Sequence, residues 1–146
     1  MKKILALAFI VSLAFSCKNT EAKQEENVVE KEAFDMYQPS EMAALMEYMY
    51  TYNTQVRQSV IDGKNPGAFP NEFFKINTAE LTDRFHRDAE FEKFAKIFLK
   101  AEMDIFNPVS TIPVTDRYNT MVNACISCHQ TSCTGPIPRI KKLLIP

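Results

Sequence analysis

Glycine is almost missing from this chain: Gly63, Gly67 and Gly135 are all that 146 residues contain. Tight hairpin turns draw on glycine at positive φ, so a fold of many short strands is not expected. An excess of charge of one sign is missing too. The formal net charge is −1, more negative by two once Lys2 and Lys3 leave with a leader segment. No basic, aromatic-interleaved patch is present, so nucleic acid is not an expected partner. The longest apolar run, Ile4 to Phe15, falls short of the ~20 residues a spanning helix needs. No Ser-His-Asp set, phosphate-binding loop or paired-carboxylate arrangement is recognisable, and the chain is not expected to be an enzyme. The acidic residues alternate with basic ones, as on solvated helix faces.

What is present begins with export. Lys2 and Lys3, the apolar run and Ser16 form a signal-peptide pattern over residues 1–16. Leu13-Ala14-Phe15-Ser16-Cys17 resembles a bacterial lipoprotein processing site, and that resemblance implies a lipid on Cys17. Simple cleavage near Ser16 is the alternative. The charged stretch Lys18 to Lys31 cannot bury enough surface to offset its ordering entropy, so residues 17–38 read as a lipidated flexible tether. Residues 39–146 are left for one folded domain.

That domain reads as helices. Ser40 is a capping residue with Glu41 in the first turn, and Met42, Leu45, Met46, Met49, Tyr52, Val56 and Val60 follow in steps of three and four. Gly63, Asn65, Pro66 and Gly67 end the pattern. Between Phe69 and Thr82 the spacing supports only a short helix with irregular ends, with Phe73, Phe74, Ile76 and Leu81 expected inside. Asp88 to Phe106 is a strong helix carrying Phe91, Phe94, Ala95, Phe98, Leu99, Glu102, Ile105 and Phe106 at helical spacing, stopped by Asn107-Pro108. Thr115 or Asp116 can cap a last helix with Tyr118, Met121, Val122, Cys125 and Cys128 on one face. The expected class is all-α, an antiparallel helical bundle.

Chemistry enters with Cys125-Ile126-Ser127-Cys128-His129, the C-x-x-C-H spacing of covalent haem attachment. On a helix, i and i+3 are neighbours, so two thiols can each meet one vinyl group of a porphyrin. His129, four residues from Cys125, can turn its ring to the iron, and its other ring nitrogen should then donate to a carbonyl or carboxylate. Two other readings share the motif. Cys125, Cys128, His129 and Cys133 make a four-ligand zinc set, which export weighs against. A redox dithiol would want a βαβ context that is absent. No Met or His follows His129, so any sixth iron ligand must come from upstream.

A helical chain with CISCH on its last helix and Leu45-Met46 on its first resembles the class II cytochromes c, the four-helix-bundle group that includes cytochrome c′. The resemblance spans Pro39 to Pro146 and implies one covalent haem c on the C-terminal helix. It further implies a Met on the first helix opposite the His. Met46 matches that position best; Met49, Met42, His86 or an open site are the alternatives, and the methionine stripe also suits plain core packing. Arg139 is a candidate for a haem propionate, since a guanidinium holds a carboxylate with two bonds. Cys133 is the odd thiol, expected as an apolar neighbour of the haem edge.

The expected function is single-electron transfer at the bacterial cell envelope. The protein would be periplasmic or outer-membrane-associated, held by its lipid, and would exchange electrons with redox partner proteins; a homodimer is compatible. The alternatives are binding of nitric oxide or carbon monoxide at a five-coordinate iron, and a zinc-stapled structural module.

Overall fold

Ser40 is extended, and its Oγ accepts the Ala43 N–H at 3.2 Å, so the first helix starts where its cap residue predicts. This helix, α1, spans Glu41–Ile61 in a computed structural model that describes residues 38–146. The leader, Cys17 and nearly all of the tether lie outside the described residues. At its other end Gly63 has φ +64, the left-handed conformation a helix-closing glycine supplies. Lys64 N–H then reaches the Ser59 carbonyl at 2.9 Å and Gly63 N–H the Val60 carbonyl at 3.1 Å. Met42, Leu45, Met49, Asn53, Val56 and Val60 form the buried stripe of α1. Met46 and Tyr52 are half-buried.

The next segment forms a 3₁₀ helix, Asn71–Asn77, rather than an α-helical turn. Its three-residue period puts Phe73 and Ile76 on one side and swings Phe74 outward. Phe74 is accordingly 46 % exposed, against the expectation that it is core. Phe73 is fully buried, with the Tyr48, Tyr52 and Phe69 rings edge-on at 5.7, 5.5 and 6.0 Å. The chain then returns to the start of α1. Met42 N–H donates to the Glu80 carbonyl at 2.9 Å, and Glu80 N–H donates to Glu41 Oε2 at 2.9 Å.

Helix α2, Ala89–Ile105, is capped by Asp88, whose Oδ1 accepts the Phe91 N–H at 2.8 Å. It buries Ala95, Phe98, Leu99, Glu102 and Ile105. Helix α3, Val114–Thr131, begins one residue earlier than Thr115 and has no side-chain cap. Pro113 precedes it with a preset φ, and Arg117 stitches the corner instead. The Arg117 guanidinium donates to the carbonyls of Asp104, Ile105, Asn107 and Ile112 at the end of α2 and in the loop. α2 and α3 form the most extensive helix pair, and α3 also touches α1 and the segment that follows it.

That segment is itself helical. CISCH is not on the last helix: a short α4, Ile137–Ile140, and a 3₁₀ turn, Lys141–Leu143, follow it and bury Ile140 and Leu143. Arg57 holds the Leu143 and Leu144 carbonyls at 3.1 and 3.3 Å. Asn119 exchanges two hydrogen bonds of 2.9 Å with the backbone of Ile145. The described residues are thus helical with no strand, and none of their helices is long and apolar enough to cross a membrane. The short helix expected between Phe69 and Thr82 is this seven-residue 3₁₀ helix, much shorter than α1, α2 and α3.

Phe73→Ala should cost about 3–5 kcal/mol, the usual price of removing a fully buried aromatic ring. Phe74→Ala should change stability by less than about 0.5 kcal/mol. Denaturant midpoints of the two variants measure the difference.

Candidate functional site

The helices do not close completely on one another. Between them lies a cavity of about 330 Å³, within the size range of pockets that hold small cofactors. α3 supplies Cys125, Cys128 and His129 to its wall, and α1 supplies Met42, Met46 and Met49. α2 contributes Phe91, Phe94 and Phe98, while Leu81, Phe85 and His86 come from the segment before it. Cys133, Pro136, Arg139, Ile140 and Leu143 complete the lining from the C-terminal segment. Each residue expected to carry chemistry in the folded domain therefore borders one space.

The helical repeat of α3 explains the first group. Cys125 and His129 are one turn apart and Cys128 lies beside them, so all three share a face. The His129 ring is fixed: Nδ1 is 2.8 Å from the Cys133 carbonyl. Cys133 N–H in turn donates to the His129 carbonyl at 3.2 Å. A carbonyl only accepts, so Nδ1 carries the proton and Nε2 keeps its lone pair, the tautomer a metal-binding imidazole needs. Cys133 thus acts on the site through its backbone.

The thiols are not activated. Burial, with a smaller contribution from the charge of Glu102, pushes the Cys125 thiol far above its ordinary pKa. Burial, then Glu90, raises Cys128. Both stay protonated at neutral pH, the opposite of a dithiol poised to exchange disulfides. Cys125, Cys128 and Cys133 carry no disulfide. Among the described residues no three His, Cys, Asp or Glu side chains converge as a metal-binding group, so the four zinc ligands are not assembled.

The three methionines differ in setting. Met42 and Met49 are each 6 % exposed and belong to the buried core, whereas Met46 is half-buried and packs against it. His86 is exposed at the rim. Arg139 has a partner of its own. Its two terminal nitrogens donate to the Glu47 carboxylate at 2.5 and 2.6 Å, and its guanidinium stacks 3.8 Å over the Tyr50 ring. The hydrogen bond from Arg139 lowers the Glu47 pKa.

A porphyrin demands a broad apolar slot, two thiols at helical spacing, an imidazole with a free nitrogen, and a cation near the mouth for its carboxylates. These residues fit that list. Cys125 and Cys128 would hold the macrocycle, His129 its iron, and Arg139 is placed to exchange Glu47 for a propionate.

Sequence reasoning missed one group behind the wall. Glu102 was counted on the apolar stripe of its helix, yet acidic residues were read as solvated. It is fully buried. Asn53 Nδ2 donates to its Oε2 at 3.2 Å, and the Tyr118 hydroxyl donates to the Asn53 carbonyl at 2.8 Å. Burial pushes the Glu102 pKa up to about 8, against the opposing pull of the Asn53 hydrogen bond. Its place between Leu99 and Ile105, three residues from each, was the signal available in the sequence.

The chain matches no family model, and neither a curated protein nor a solved structure matches it significantly.

The raised acid makes stability fall with rising pH. The unfolded chain loses this proton near the ordinary glutamate value of 4.5 and the folded chain near 8. Between those values the native state binds more protons, so its extra stability, complete below the first, is lost on passing the second. At about 1.4 kcal/mol per unit of pKa, the change amounts to a few kcal/mol. Glu102→Gln should remove this component, seen as a flatter denaturant midpoint across that window.

Proposed function

We propose that this chain is a monohaem c-type cytochrome that carries single electrons. Cys125 and Cys128 form the thioether links, His129 is the proximal iron ligand, and Met46 closes the opposite face. The observation that carries this reading is the cavity itself. One apolar space is bordered by both thiols, by an imidazole whose Nδ1 is spoken for at 2.8 Å, and by a methionine-lined helix. When bound, the haem supplies a one-electron couple; closing both axial positions favours low spin, and thioether ligation raises the potential.

Met46 is favoured over Met42 and Met49 because it is the one not already absorbed into core packing. The protonated, half-buried thiols speak against a disulfide oxidoreductase. The architecture that goes with the proposal is the antiparallel four-helix bundle of the class II cytochromes c, with the 3₁₀ helix as a much shortened second helix. Export, a lipid on Cys17 and residence in the periplasm or at the outer membrane complete it, with envelope redox proteins as the partners.

An absorption spectrum of protein made with haem-attachment machinery tests the reading. The mature protein should be coloured, keep its colour through acidic organic solvent, and show a low-spin reduced spectrum. Cys125→Ser with Cys128→Ser should make the colour extractable. Met46→Leu should let the reduced protein bind carbon monoxide, while Met42→Leu and Met49→Leu should not. A colourless protein overturns the proposal. Carbon monoxide binding by the unaltered reduced protein replaces electron transfer with gas binding.

A further inference from the structure

Glu102 is buried with no cation to balance it. Its first carboxylate oxygen, Oε2, takes the amide N–H of Asn53 at 3.2 Å. Its second, Oε1, has no partner, and neither does Asn53 Oδ1. For a carboxylate that is two stranded acceptors, a costly arrangement in a core. For a carboxylic acid it is a matched pair: a proton on Oε1 makes a donor, and the adjacent amide leaves one acceptor unfilled. The cluster is built to hold the protonated acid.

The cluster also abuts the cavity. Asn53 is 1 % exposed and still borders that space, one helical turn beyond Met49. On the other side the charge of Glu102 reaches the Cys125 thiol. Every element packed on α2 can be checked for a competing group. From α1 come Asn53, Tyr52 and the charge of Arg57, which reaches Tyr118, and from α3 Tyr118 and Cys125. The 3₁₀ helix buries only Phe73 and Ile76. Burial raises the pKa of Tyr52, Tyr118 and Cys125 above their ordinary values, so none of them titrates near neutrality. Of the fully buried groups here, Glu102 is the one able to exchange a proton near neutrality; His86 and Glu47 also border the cavity, at its exposed rim.

We propose that Glu102 is a proton-binding site coupled to the electron carried in the cavity. The inference rests on the haem reading. When a single-electron donor protein delivers one electron and the iron goes from the ferric to the ferrous state, Glu102 takes one proton from solvent and becomes the neutral acid. Oxidation returns the electron to an acceptor and the proton to solvent. Each direction moves one electron and one proton, so the buried site keeps its charge. The physical cause is the low dielectric around Glu102, where an added positive charge on the iron favours the carboxylate and its loss favours the acid.

The test is the reduction potential of the intact, haem-loaded protein as a function of pH. The potential should fall as pH rises through the neutral and mildly alkaline range. A proton affinity at least tenfold higher in the reduced state corresponds to a total fall of about 59 mV or more for one electron. Glu102→Gln, the uncharged mimic of the acid, should abolish that component and hold the potential near its acid-side value. Asn53→Ala removes the amide that faces both carboxyl oxygens of Glu102, so the pH range over which the potential falls should move. A coloured protein whose potential is independent of pH, or a slope that Glu102→Gln keeps unchanged, overturns this inference and leaves the haem reading standing. A colourless protein overturns both. If Glu102→Gln does not fold, Asn53→Ala decides, since a slope that does not move assigns the proton elsewhere.

Discussion

An apolar cavity of about 330 Å³ is the constraint on which the rest of the domain depends. The space opens to solvent at its rim, and its apolar lining lacks packing partners on that side. Its walls of methionine and phenylalanine leave room for an apolar occupant. Around those walls, α2 and α3 pack extensively, and the C-terminal segment lines one side with Ile140 and Leu143.

Local chemistry made much of this readable in the sequence. Ser40, Gly63 and Asp88 each satisfy backbone groups within a few residues, and the helices they bound begin and end where those residues stand. The CISCH spacing is local as well, because one helical turn brings its members together. What could not be read depends on partners far along the chain. The packing of the chain after Gly135 is one such case, with Arg57 and Asn119 capturing its carbonyls across more than twenty residues. Phe74 looked like core until the segment took a three-residue period. Glu102 has a polar letter in an apolar frame. Only the position of Asn53, forty-nine residues away, shows how it is accommodated.

Charge is distributed by depth. At the rim, Arg139 and Glu47 are about half exposed, at 49 % and 57 % of their side chains, and such a pair contributes little to stability by itself. Its value is geometric. The bidentate contact and the Tyr50 stack hold the guanidinium at the rim of the cavity. Deeper in, Tyr118 stays neutral and the thiols stay protonated, all for the same reason of burial. A full charge appearing in such a setting has few groups able to answer it.

This contrast assigns Cys133 and Glu102 complementary parts. Cys133 contributes a carbonyl, and that carbonyl fixes the tautomer of His129 without adding charge. A neutral acceptor leaves the imidazole less electron-rich than a carboxylate partner would, so the proposed iron site receives no compensating negative charge through its axial ligand. Any compensation must come through space, and the buried group placed to give it is the acid behind Asn53. A carboxylate at the imidazole would fix the balance permanently, whereas an acid that gains and loses its proton adjusts it with each electron.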